Sequence, residues 1–113
     1  MENFITGERI ADLLMAKGIV YEQKKMFGGL CFMVDDKMLM GTYKGGVMVR
    51  VDPAEAETLV NRAGASHMIH GGRAMPGFIM IEPAGYERDA DLLFWLEKCL
   101  EYNPKAKAGG KKK

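Results

Sequence analysis

Apolar and polar positions along the chain change period several times, and each change marks an element. From Phe4 to Lys17 the apolar residues Ile10, Leu13 and Leu14 recur at helical spacing, with Ala11 and Met15 widening the stripe. Asn3 or Thr6 is placed to cap this helix, and Gly18 to end it. Between Lys24 and Asp52 the period falls to two: Val47, Val49 and Val51 face one way, Met48 and Arg50 the other. Three short apolar runs are parted here by Asp35-Asp36-Lys37 and by Lys44-Gly45-Gly46, turn chemistry that joins neighbouring antiparallel strands. The pattern predicts a meander reached through a Phe27-Gly28-Gly29 corner.

Asp52-Pro53-Ala54-Glu55 opens a second helix, with Asp as cap, Pro preorganised behind it and Glu55 completing a capping box. Ala56, Leu59, Val60 and Ala63 form its apolar stripe, and Gly64 ends it. Ser66 to Arg73 reads as a brief strand and a turn. Phe78-Ile79-Met80-Ile81-Glu82 is apolar on both faces, the mark of a strand inside a sheet, and Pro83 closes it. Asp89 is placed to cap a last helix with Leu92, Trp95, Leu96, Cys99 and Leu100 on its apolar face, ended by Asn103-Pro104. The order α-β-β-β-α-β-β-α predicts an α+β fold, an antiparallel sheet of about five strands with three helices.

Composition narrows the class. With 113 residues, 48% hydrophobic and 27% charged, the chain makes one domain whose core needs no disulfide or metal. No apolar run approaches the ~20 residues of a membrane helix, and no basic segment followed by an apolar core opens the chain, so a cytoplasmic protein is expected. Cys31 and Cys99 stand far apart and read as buried thiols. The net charge of +1 conceals an asymmetry: residues 1–104 carry 11 basic against 15 acidic side chains, and five lysines follow. Residues 1–104 are read as the domain and 105–113 as a disordered lysine-rich tail. A mildly acidic domain is not a nucleic-acid surface throughout.

Candidate chemistry is sparse. The glycines after Lys24-Lys25 follow the lysines instead of preceding them, which excludes a nucleotide-binding loop. His67 and His70 would point to opposite faces of a strand. Cys31 with these two histidines is the candidate for a small ligand or metal pocket, or an enzyme. No Ser-His-Asp arrangement or telling carboxylate pair is present, so no catalytic residue, metal or cofactor is assigned. Of the ten methionines, Met33, Met40 and Met80 are assigned to the core, and Met48 with Arg50 to a semi-exposed sheet face. Gly71-Gly72-Arg73, before Met75-Pro76-Gly77, is a loop suited to an anion or a partner's carboxylate. Met48, Arg50, Arg73 and Phe78 are therefore the candidate contacts for a protein partner, and an apolar sheet face favours a homodimer. The alternative is a nucleic-acid surface of Lys24, Lys25, Arg50, Arg73 and the tail.

Several blocks together resemble a known family. Lys25-Met26-Phe27-Gly28-Gly29-Leu30 through Val34, Lys37-Met38, Val49-Arg50-Val51, Gly72-Arg73-Ala74-Met75-Pro76-Gly77-Phe78 and Asp91-Leu92-Leu93-Phe94-Trp95-Leu96 resemble the core of the TfoX/Sxy N-terminal domain, across about residues 5–103. The resemblance implies a secretion-chaperone-like α+β fold. It also implies kinship with bacterial competence regulators, coactivators that work with a transcription factor such as the cyclic-AMP receptor protein. A second domain follows in those regulators; this chain ends in lysines and is expected to be a stand-alone member. The resemblance carries over no catalytic residues.

Overall fold

The computed structural model describes residues 2–26, 29–43 and 45–106. The elements run α1 (Glu2–Ala16), β1 (Glu22–Met26), β2 (Gly29–Val34), β3 (Lys37–Tyr43), β4 (Gly46–Arg50), α2 (Pro53–Leu59), β5 (Ala65–His70), β6 (Arg73–Ile81) and α3 (Asp89–Tyr102), with one-turn 3-10 helices at Pro83–Gly85 and Asn103–Lys105. The fold is the expected α+β arrangement. All strand pairs are antiparallel, in one sheet of order β1-β2-β3-β4-β6-β5. The strand beyond the expected five is β1, whose Glu-Gln-Lys-Lys-Met sequence shows no apolar alternation. It is an edge strand, where lysines block further pairing. Phe27 and Gly28 of the proposed corner lie outside the described residues, as does the tail from Lys107. Lys105 and Ala106 close the last described turn, with Ala106 buried.

Register explains the core. Gln23, Phe32, Met40, Val49, Ile79 and His67 are successive cross-strand partners on one face, apolar in the middle and polar at both edges. Thr42, Val47, Ile81 and Ala65 form the next such row. All three helices pack on this face. Ile10 and Leu14 of α1, Ala56 and Leu59 of α2, and Leu92, Trp95, Leu96 and Cys99 of α3 join Phe32, Met40, Val47, Val49, Ile79 and Ile81 in one buried cluster. A bulge helps to fill it: Phe32 pairs with Met40 but Met33 with Met38, so Leu39 is an extra residue on β3, and it is buried in the core. The Asp35-Asp36 turn is left-handed at both residues (φ 55° and 64°), the conformation of a two-residue hairpin turn.

The helix ends differ in detail from expectation. Asn3 and Thr6 fall inside α1, and Thr6 is buried there. Gly18 does adopt the left-handed conformation that ends the helix (φ 72°). Asp52 caps α2 through a bond from the Ala54 N–H (2.9 Å), but Glu55 reaches across to Lys98 (3.1 Å) instead of closing a capping box. That helix stops at Leu59, which leaves Val60 half-buried and Ala63 exposed. Arg88, not Asp89, holds the cap position of α3; Asp89 is its first residue and forms an ion pair with Arg9 of α1 (3.2 Å). Asn103 is buried and donates to the Val34 carbonyl (3.2 Å), while its own carbonyl accepts from Lys37 (3.1 Å), so the end of α3 is tied to the β2–β3 turn.

Gly41 sits where the spacing of β2 and β3 leaves no room for a side chain. A methyl there would fall on the Leu30 carbonyl oxygen and lie 3.1 Å from the Cys31 Cα. Gly41→Ala is expected to lower the unfolding free energy by about 2 kcal/mol or more, read as a drop in the urea midpoint with an unchanged slope.

Candidate partner-binding face

The residues that alternate with the core rows line the other side of the sheet. Lys24, Cys31, Gly41, Met48, Met80 and Ser66 are successive partners across all six strands. Beside this row lie Glu22, Met33 and Met38 on β1 to β3, and Arg50 with Phe78 on β4 and β6. Tyr43, paired with Gly46, stands on the opposite flank. Cys31 and Met48 are each only 2% exposed, yet neither belongs to the cluster beneath the helices. Among the described residues, no helix residue joins them. This face is apolar at its centre, cationic or polar at its edges, and built largely of sulfur-bearing side chains.

The structure sorts the predicted contacts. Arg50 and Phe78 are together, with the guanidinium 5.6 Å from the ring centre and both side chains half-buried. That cation–π contact keeps the ring in place and leaves one side of the arginine to solvent. Met48 faces the predicted way, but it is buried instead of semi-exposed: it stands between Met80 and the bare Gly41, and its neighbours close over it. Met40 is a core residue as expected, whereas Met33 and Met80 belong to the open face and are half-buried there. Arg73 is exposed at the β5–β6 hairpin, next to the left-handed Gly71 and Gly72, a strand away from Arg50. Met33, Met38, Tyr43 and Met80 were not singled out as contacts. Parity counted from the valines of β4 through the Gly45-Gly46 turn finds Tyr43; Met33 and Met38 lie beyond the bulge at Leu39, which reverses that count, and Met80 is placed by the pairing of β4 with β6.

The other candidates do not converge. Lys24 shares the open face with Arg50, but Lys25 pairs with Leu30 on the helix side. His67 is on the helix side of edge strand β5, 3.7 Å from Glu57, whereas Cys31 is on the open side of β2; the Cys31–His67–His70 pocket is not formed. The side chain of His70 lies outside the described residues. Burial pushes the Cys31 thiol up to about 11, only partly opposed by Lys24, and pushes Cys99 up to about 12. A protonated thiol is a poor nucleophile. A separate cleft of about 440 Å³ is lined by Arg62, Ala63, Gly85, Arg88 and Asp91. Its cations are already engaged: Arg62 stacks on Phe94 at 3.7 Å, and Arg88 pairs with Asp91 at 3.3 Å.

A family model described as the TfoX N-terminal domain matches residues 13–102. The chain belongs to that family. The matched span of this TfoX N-terminal domain begins within α1 and ends at the last residue of α3, so it takes in the whole sheet and both of its faces. The comparison with curated proteins and that with solved structures each give no match. No helix among the described residues of the domain is long and apolar enough to cross a membrane.

The two thiols give the domain a pH dependence of definite sign. Both hold protons in the folded state that the unfolded chain releases near its ordinary thiol value of 9. Stability is then complete below pH 9 and falls as pH rises from there through about 11, where Cys31 itself titrates. The slope is at most about 1.4 kcal/mol per pH unit for each thiol. Urea unfolding between pH 8 and 11 should show this loss, and a Cys31→Ala/Cys99→Ala variant should lose less across the same range.

Proposed function

We propose that the chain is a non-catalytic interaction domain that receives a protein partner on the open face of its sheet, and that it contributes to transcriptional regulation through that partner. The observation that carries this reading is the face itself: Met33, Met38, Tyr43, Phe78 and Met80 lie together on a surface that no described element covers. These side chains are half-buried in the free domain; an apolar sheet surface without a packed layer suits a contact site, and methionine lets one surface fit more than one partner. Protonated, buried thiols support a non-catalytic role. The competence-type setting and a transcription factor as partner follow from the TfoX resemblance, and a cytoplasmic location accords with both.

A second reading has one observation in its favour. Lys24 and Arg50 share the open face with the aromatic Phe78, a pairing of cations and ring that single-stranded nucleic acid exploits. Against it, Glu22 lies on the same face, and Arg50 is already held over Phe78.

Two experiments separate these readings. Met33→Lys/Met80→Lys places charge at the centre of the face without touching the helix side. Affinity capture with the full chain should retain a partner that this double variant loses, while circular dichroism shows the same fold; an identical set of retained proteins would remove this face from consideration. Fluorescence anisotropy with single-stranded oligonucleotides, at ~0.15 M salt, should show no saturable binding. Binding that persists at that ionic strength and is lost in Arg50→Ala would favour the second reading.

A further inference from the structure

The centre of the open face has a feature that partner binding does not require. The Cys31 Sγ lies 3.7 Å from the Met33 Sδ, two residues along β2 on the same side of the sheet. Met38 is the direct cross-strand partner of Met33. Met48 is separated from Cys31 only by Gly41, which has no side chain to stand between them. Four sulfur-bearing side chains on three neighbouring strands therefore share this part of the sheet face, with the Cys31 thiol in contact with the Met33 thioether, and both Cys31 and Met48 are buried.

From this arrangement we infer that the open face holds a site for a soft monovalent metal ion, copper(I), bound by the Cys31 sulfur and the Met33 thioether, with Met38 or Met48 completing the coordination. The first argument is geometric. With metal–sulfur bonds of ~2.3 Å, two sulfurs 3.7 Å apart subtend about 107° at the metal, within the range of trigonal and tetrahedral coordination. The second is the donor set: thiolate with thioethers selects copper(I) over zinc or the harder divalent ions. No group of three His, Cys, Asp or Glu that would suit zinc occurs among the described residues.

The third argument is charge. Cys31 is a cross-strand neighbour of Lys24 and is shielded from water. Binding exchanges the thiol proton for Cu⁺: the S–H bond breaks, the S–Cu bond forms, and the proton leaves to solvent. The oxidation state does not change and the site stays neutral, so no net charge is buried beside the lysine. A divalent ion in the same place would leave a net positive charge there, which burial and Lys24 both oppose. Cys99 provides a control, since it is equally buried but lies in the core beneath the helices.

The test is an anaerobic competition for copper(I) buffered by bicinchoninate, using the full chain. The expected result is withdrawal of one equivalent of copper, with sulfur-only ligation in the X-ray absorption spectrum. Cys31→Ser should abolish withdrawal, and Met33→Leu, which conserves volume, should weaken it at least tenfold. Cys99→Ser should leave it unchanged. Circular dichroism establishes that each variant is folded. No withdrawal by the unmodified chain, full affinity in folded Met33→Leu, or dependence on Cys99 in place of Cys31 would each overturn the site. Since the readout is copper transfer, it is independent of whether any protein partner binds this face.

Discussion

The antiparallel register of six strands, with every helix on one side, is the constraint from which the other features follow. A sheet residue belongs to one face or the other by parity alone. Once Val47, Val49 and Val51 are committed to the core, Met48 and Arg50 are committed to the opposite face. The same commitment passes through each pair of strands, from Gln23 at one edge to His67 at the other. The helices bury one set of rows and leave the other without a protein layer. In a two-layer α+β domain the second face usually turns polar; here its polar residues are those of the edge strands and Arg50, which is held over Phe78 at the end of β4.

Helix packing reinforces the asymmetry. The three helices are tied to one another over the core by Arg9 with Asp89, Lys17 with Glu97, and Lys98 with Glu55, and Arg62 stacks across Phe94. Pairs of this kind at the surface add little stability singly. They do connect α1 to α3 and α2 to α3, which keeps the helical layer on its side of the sheet. Cohesion comes from the buried apolar cluster in which Trp95, Leu92 and Leu96 join Val49 and Ile79 of the sheet.

Much of this was legible in the sequence, for identifiable reasons. The valine alternation of β4, the Asp-Asp and Gly-Gly turns and the apolar faces of α1 and α3 are local signals, and they located five of the strands and three helices. β1 was missed because an edge strand stabilised by pairing on one side needs no apolar period of its own. The Asp89 cap was misplaced by one residue because a cap is defined by backbone conformation, not by residue type alone. The open face was found only in part. Arg50 and Phe78 stood out by type, but assigning Met33 and Met80 to the core treated methionine as a core filler. Which face a methionine occupies depends on long-range register and on the bulge at Leu39, neither of which a local window contains.

The use of methionine on this face, in place of valine or isoleucine, is itself informative. An apolar β-branched face would be rigid and would invite another sheet to stack on it. Lysines on β1 and the polar ends of each row discourage that pairing at the edges. Methionine at the centre does a different job: its three rotatable bonds and polarisable sulfur allow side chains to close over Cys31 and Met48 when nothing is bound, as their 2% exposure requires. The same side chains can open without disturbing the backbone. A face that shields itself when free and yields on contact suits reversible occupation, and its sulfur atoms supply the chemistry that sets the kind of occupant. The absence of a helical layer on this face among the described residues and the chemical character of its central residues are the physical grounds on which the proposed partner contact rests.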